Sequence, residues 1–195
     1  MDKIVYFLRH GQAESNARHF FAGHSDVPLT ELGIQQAKDT APILAHIVFD
    51  KVYCSDLQRA RNTAALALPH YTCEYTKEIR EVDVGALAYQ PTADCEKKYG
   101  DLYWQCRKKR DYSPFGGESR EQFNGRVHGF LNRLAQNDQG PTVAVVCHGG
   151  AIQSAVQYVL GDCQNMAQPD NCSITKFSYT NGVWKLEAWN VTAKL

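Results

Sequence analysis

Two apolar runs of strand length each stop at a histidine, and this constrains the fold more than any other feature. Thr142-Val143-Ala144-Val145-Val146-Cys147 is apolar almost throughout and rich in β-branched residues. A strand of that kind has no solvent face, so it belongs in the middle of a sheet covered on both sides. It runs straight into His148-Gly149-Gly150. Ile4–Leu8 is a second such run and ends at Arg9-His10-Gly11. In open α/β sheets, ligands bind outside the carboxyl ends of the strands near a switch in strand order. Two strand ends could therefore present two histidines to one crevice. A helix starting near Gly149 would aim its free N–H groups and positive dipole end at whatever binds there, so an anion is the natural guest.

The rest of the chain supports alternating strands and helices. Thr30 is placed to open a helix, with Ile34, Ala37, Ala41 and Leu44 at helical spacing. Lys51–Cys54 reads as a short strand. Ser55 with Gln58 forms a capping-box pattern, so a helix is expected from there to about Leu68. Ser119 with Gln122 repeats the pattern, followed by an apolar stripe of Phe123, Val127, Phe130 and Leu134. Ala151–Leu160 is apolar enough for a packed helix. Asn181-Gly182 between Ile174–Tyr179 and Val183–Trp189 predicts a tight hairpin turn. The expected fold is α/β in three layers: a mostly parallel central sheet, helices on both faces, and an antiparallel edge hairpin near the C-terminus. A single domain over residues 1–195 is expected.

Lys plus Arg equals Asp plus Glu at 21 each, which argues against a broad footprint for nucleic acid or an acidic membrane surface. The densest basic run is Arg107-Lys108-Lys109-Arg110. Such runs are usually solvated helix faces, but this one could bind the carboxylate of a small acid. The seven cysteines, at 54, 73, 95, 106, 147, 163 and 172, are odd in number and widely scattered, and no C-x-x-C pair occurs. Neither a disulfide framework nor a structural zinc site is expected. Cys147, inside the apolar run, reads as a buried inert thiol. The N-terminal apolar run is too short for a signal segment and no stretch approaches a membrane span, so a soluble, cytoplasmic protein is expected. Asn171-Cys172-Ser173 and Asn190-Val191-Thr192 match a glycosylation sequon that is frequent by chance.

A lone histidine at a strand end is usually a satisfied loop residue. Arg-His-Gly and His-Gly-Gly together, each at a strand end, resist that reading. Arg9-His10-Gly11-Gln12-Ala13-Glu14-Ser15-Asn16 resembles the signature of the histidine phosphatase, or phosphoglycerate mutase-like, superfamily. The segments 21–33, 54–64 and 80–85, with Gly117-Glu118-Ser119 and His148-Gly149-Gly150, resemble its further blocks in order.

The resemblance implies an enzyme that moves phosphoryl groups through a phosphohistidine on His10. A nucleophilic imidazole must be neutral at one nitrogen while the other is held as a donor, and a carbonyl near Gly11 is the expected holder. Arg9 and Arg59 would clamp phosphoryl oxygens with their planar forks. His148 would stabilise the equatorial oxygens, and Glu81 would act as general acid, then base. Asn16, Gly23 and Gly149 would complete the pocket, with Lys108 and Lys109 as substrate-binding candidates. No metal is expected, because phosphoryl transfer needs positioning and charge neutralisation and these cations supply both.

The superfamily holds phosphatases and mutases. Gly85-Ala86-Leu87 and Lys98-Tyr99-Gly100-Asp101 resemble segments of the cofactor-dependent mutases. An ungapped match, however, puts Val84 where those carry Tyr, Thr92 where they carry Lys, Lys108-Lys109 where they carry paired Arg, and Gly150 in place of Asn. The preferred reading is a phosphomonoesterase on a small phosphorylated metabolite, with phosphoserine or a similar phosphorylated acid as first guess and no cofactor. The alternative is a mutase, which would need 2,3-bisphosphoglycerate. A non-catalytic binding protein is the remote third reading, disfavoured because His10 and Glu81 are both present. A homodimer is compatible with the resemblance.

Overall fold

The computed structural model describes residues 2–136, 140–161 and 166–193. Six strands form one sheet: β1 (Lys3–Arg9), β2 (Lys51–Ser55), β3 (Cys73–Thr76), β4 (Thr142–Cys147), β5 (Ile174–Thr180) and β6 (Val183–Val191), in the order β3-β2-β4-β1-β5-β6. The β1/β4, β2/β4 and β2/β3 pairs are parallel. β5 and β6 add antiparallel strands at one edge, joined at Asn181-Gly182, whose φ values of 53° and 82° suit a tight hairpin turn.

Helices cover both faces: α1 (Glu14–Ala17), α2 (Glu31–Leu44), α3 (Gln58–Ala67), α4 (Thr92–Lys109), α5 (Arg120–Gln136) and α6 (Gly149–Leu160). Alternating strand residues feed the two cores. Val5, Phe7, Val143, Val145 and Cys147 pack with Phe123, Val127, Phe130 and Leu134 of α5 and with Ile152 and Ala155 of α6. Leu8, Ala144, Val146 and Cys54 pack with Ala37 and Leu44 of α2 and Ala60 and Ala64 of α3. This two-sided burial is what the apolar β4 run requires. Burial also pushes the Cys147 thiol up, as befits an inert core cysteine. Six cysteines are free, and Cys163 lies outside the described residues.

Local signals held unevenly. Thr30 caps α2 by accepting from the Gly33 N–H at 3.1 Å, and Ser119 and Gln122 make their reciprocal capping bonds at 3.2 and 2.9 Å. The buried face of α2 differs from the expected stripe: Gly33, Ala37, Thr40 and Leu44 face inward and Ile34 is exposed. Backbone packing sets that rotation. A Cβ on Gly33 would lie 2.0 Å from the Gln12 carbonyl oxygen, so α2 rests its backbone against the loop that follows β1. Ser55 does not cap α3 either. The helix starts at Gln58, whose N–H is capped at 2.9 Å by Asp26 from a distant loop.

A third, small core of Val84, Leu87, Cys95, Tyr103, Cys106 and Tyr112 builds on α4, which kinks at Gly100 (φ 50°). Isolated backbone bridges Phe21/Ala88 and Phe20/Pro91 tie this unit to the 20–23 loop. Among the described residues no helix is long and apolar enough to cross a membrane.

Candidate active site

The parallel β1/β4 register places Arg9 opposite Cys147, so the next residues, His10 and His148, leave the sheet side by side. The His10 N–H continues the ladder to the Cys147 carbonyl at 3.0 Å. The two rings sit 5.2 Å apart between centroids. They stand at a switch in strand order, because the chain after β1 runs to β2 through α2 on one face and the chain after β4 runs to β5 through α6 on the other.

His10 is nearly buried and lines a cleft of about 680 Å³. Its Nδ1–H donates to the Gly11 carbonyl at 2.7 Å, which leaves Nε2 as the nitrogen with a lone pair. Arg9, Asn16, Gly23, Arg59 and Glu81 line the same cleft. Arg59, 1% exposed, donates to the carbonyls of Ser25 (3.0 Å) and Gly23 (2.9 Å). That uses two of its five N–H groups and leaves three for an anion. Gly23 adopts φ 51°, and a Cβ there would lie 2.7 Å from the Val84 side chain, so this loop needs glycine. Burial lowers the Arg59 pKa to about 10, still charged at neutral pH. Arg9 donates to the Pro169 carbonyl, while its buried Nε has no partner among the described residues.

His148 lies beneath the cleft, fully buried, with Nε2 bonded to Ser55 Oγ at 2.8 Å and Nδ1 unpartnered among the described residues. If the Ser55 hydroxyl donates, Nδ1 carries the proton and is a buried donor, and His148 itself does not line the cleft. Ser55, expected as a helix cap, is instead turned to this imidazole.

Glu81 folds onto the first turn of α6. Its carboxylate accepts from the Gly150 N–H at 3.1 Å and the Val82 N–H at 2.9 Å. A Cβ on Gly150 would lie 2.0 Å from Glu81 Oε1, and one on Gly149 would lie 2.3 Å from Gln168 Oε1, so both glycines make room for side chains. Asn16 Oδ1 accepts from the Ala13 N–H at 3.0 Å and from Asn171 Nδ2 at 3.4 Å. Asn171, noted earlier only within a sequon, also donates to the His10 carbonyl at 3.0 Å.

Lys108 and Lys109 are exposed and do not line the cleft, whereas Arg107 and Arg110 of the same run do. The expectation for the two lysines is corrected on helical geometry. Arg107, although exposed, lies on the helix face beside the cleft, and Arg110 is turned back toward it at the C-cap, whereas 108 and 109 face solvent. Arg110 closes α4 in the left-handed region (φ 54°) and donates to Gln153 Oε1 at 2.8 Å. Among the described residues none of Arg9, Arg59, Arg107 and Arg110 pairs with a carboxylate within 4.0 Å, unlike Arg80 with Asp56 or Arg126 with Glu118. Unpaired cations thus collect in the cleft.

Burial, then the charges of Arg59 and Arg9, hold His10 well below the ordinary imidazole pKa. Burial, then Arg59, does the same for His148. Both rings stay neutral in the folded protein at pH values where unfolded histidines, near 6.5, take up protons. Their contribution to stability is therefore fully present above pH 6.5 and is lost as pH falls from there toward the folded-state values. Each ring should add a slope of up to about 1.4 kcal/mol per pH unit in that window. Denaturant unfolding at pH 5 to 7.5 should show a shallower pH dependence for His10→Ala than for the wild type. Equal slopes would mean that His10 is not held neutral.

A buried neutral imidazole with an open Nε2, set among unpaired guanidiniums at the ends of two parallel strands, defines a phosphoryl-transfer type of site. The chain belongs to the histidine phosphatase superfamily (branch 1), whose family model matches residues 5–192. It is 31% identical over 193 residues, 96% of this chain and 90% of the relative, to a Salmonella paratyphi A protein named "Probable phosphoglycerate mutase GpmB". It is 32% identical over 160 residues, 80% of this chain and 79% of the relative, to the adenosylcobalamin/α-ribazole phosphatase of Salmonella typhimurium. The α-ribazole phosphatase structure from Shigella flexneri superposes with a TM-score of 0.87 at 25% identity, covering 96% of each chain.

Proposed function

We propose that the protein is a metal-independent phosphomonoesterase that works through a phosphohistidine on His10 and acts on a small phosphorylated acid. The observation that carries this is His10 itself, neutral, with Nδ1 tied to Gly11 and Nε2 facing a cleft flanked by Arg9 and Arg59. In this reading Nε2 attacks phosphorus and the P–O bond to the leaving group breaks. Glu81 gives that oxygen a proton, then removes one from the water that releases phosphate from His10. Arg9 and Arg59 balance the charge on the transferring group, and the neutral His148 ring donates a hydrogen bond to it. Arg107 and Arg110 stand in the same cleft without carboxylate partners among the described residues, which favours a substrate with a second anionic group. Phosphoserine is the first probe on that ground.

The mutase reading is favoured by the name of the GpmB relative. Against it, Val84 and Thr92, where this chain departs from the mutase pattern, both line the cleft. A screen of phosphomonoesters for released phosphate, with and without EDTA and with and without 2,3-bisphosphoglycerate, separates the two. Hydrolysis should survive EDTA, need no bisphosphoglycerate, and be fastest for esters carrying a carboxylate. Activity lost to chelation and restored by Mg²⁺ would overturn the metal-independent mechanism. Isomerisation of 3-phosphoglycerate that depends on bisphosphoglycerate would establish the mutase.

A further inference from the structure

Glu81 sits in a segment, residues 77–84, that is neither helix nor strand, so its backbone carbonyls have no ladder partners. Side chains outside the cleft supply partners for three of them, with His24 Nε2 2.9 Å from the Glu81 carbonyl and Arg126 reaching all three. Arg126, on α5, donates from Nη1 to the carbonyls of Glu78 (3.1 Å) and Arg80 (2.8 Å), and from Nη2 to that of Glu81 (2.7 Å). Its remaining N–H groups go to Glu118, Nε to Oε1 at 2.6 Å and Nη2 to Oε2 at 2.8 Å. All five guanidinium N–H groups are thereby used, the full capacity of an arginine. Glu118 Oε2 also accepts from the Asp83 N–H at 2.9 Å, and the Glu118 N–H donates to the Asp83 carbonyl at 2.9 Å. Phe123, one turn back on α5, is buried in the main core with its ring 4.8 Å from the Arg126 guanidinium carbon. The fork is thus anchored to rigid structure on one side and to the backbone of Glu78–Asp83 on the other. Burial alone would raise the Glu118 carboxyl, but Arg126 and the Asp83 N–H outweigh it and hold it below the usual carboxylate range.

We infer that Arg126, locked by Glu118, is a positioning residue that sets where the Glu81 carboxyl meets the leaving oxygen; this rests on the proposed role of Glu81 as general acid. Neither residue lines the cleft, so neither touches substrate. Phosphate capture by Arg9, Arg59 and His10 does not pass through this brace. Its loss should therefore damage proton delivery and spare the attack on phosphorus.

The test compares kcat/KM on phosphoserine and on p-nitrophenyl phosphate for Arg126→Lys, Arg126→Ala and Glu118→Gln, beside Glu81→Gln. Lysine keeps a charge but has three donors and no fork. Glutamine at 118 sets an amide N–H against donors from Arg126 or Asp83, so it loosens the brace without emptying the site, and it keeps the test alive if Arg126→Ala fails to fold. The ratio of the phosphoserine to the p-nitrophenyl value should fall about tenfold to 10²-fold, the scale of roughly ångström misplacement of a catalytic group. The p-nitrophenyl phosphate value should stay near wild type, and Arg126→Lys should retain more of the ratio than Arg126→Ala. In the Glu81→Gln background, Arg126→Lys should cause no further drop in the ratio. Equal losses on both substrates, or an unchanged ratio in Arg126→Lys and Glu118→Gln while Glu81→Gln lowers it, would overturn the brace. If Glu81→Gln itself shows no selectivity, the acid assignment fails instead.

Discussion

His10→Ala should abolish turnover, with a loss on the order of 10⁴-fold or more, the scale expected when a covalent nucleophile is deleted and only binding and charge stabilisation remain. The expectation follows from the division of labour in the cleft. In the proposed mechanism Arg9, Arg59 and His148 would hold the phosphoryl group without His10, but they would offer no lone pair at phosphorus. His10 offers one because Gly11 holds the proton on Nδ1 and because burial and two guanidiniums keep the ring neutral. The variant should still bind inorganic phosphate or vanadate, since the arginines are untouched. Rapid quench of the wild type with a labelled phosphomonoester should trap an acid-labile, base-stable phosphoprotein, and the His10→Ala protein should take up no label. Near wild-type turnover in that variant would sink the mechanism. Persistent labelling would place the nucleophile elsewhere, and His148, 5.2 Å away between ring centroids, would be the first place to look.

The parts of the fold that were legible in the sequence are those whose causes are local. β4 declared itself because a continuous β-branched run has no exposed face, and it spans the residues expected. The hairpin declared itself through Asn181-Gly182, and the Thr30 and Ser119 caps through side chains that act within one turn. Signals failed where a partner comes from far along the chain. Gln58 is capped by Asp26, which freed Ser55 to hold His148, and no spacing rule connects those residues. Ile34 fits a helical stripe, yet α2 is rotated by the contact of Gly33 with the backbone at Gln12. β3 and the α4 unit with its own small core went unread because their periodicity is weak and α4 is broken at Gly100. The site divides in the same way. The two strand-end histidines were visible because chain direction alone puts them together. Asn171 and the Arg126–Glu118 fork were not, because what they do depends on which carbonyls and side chains the folded chain brings to them.

Glu81→Gln should discriminate between leaving groups, which is the mark of a general acid. The p-nitrophenolate leaving group is stable as an anion and hardly needs a proton. The serine alkoxide of phosphoserine is strongly basic and cannot depart without one. kcat/KM is the parameter to compare, because it reports steps up to departure of the leaving group and omits the later attack of water on phosphohistidine, which is common to both substrates. On phosphoserine it should fall by about 10²–10⁴-fold, the usual contribution of a positioned acid. On p-nitrophenyl phosphate it should change little. The structure makes the substitution a fair probe. Gln is isosteric, and its oxygen can keep one of the two N–H contacts that the carboxylate makes with Val82 and Gly150. Arg9 and Arg59 keep their own hydrogen-bond partners. kcat on p-nitrophenyl phosphate should still fall where release of phosphate from His10 limits turnover, because the same carboxylate is then needed as the base, and burst kinetics would show the phosphoenzyme accumulating. Comparable losses in kcat/KM on both esters would reduce Glu81 to a structural role. No loss on phosphoserine would move the acid elsewhere, with Asp83 next in line on the same braced segment.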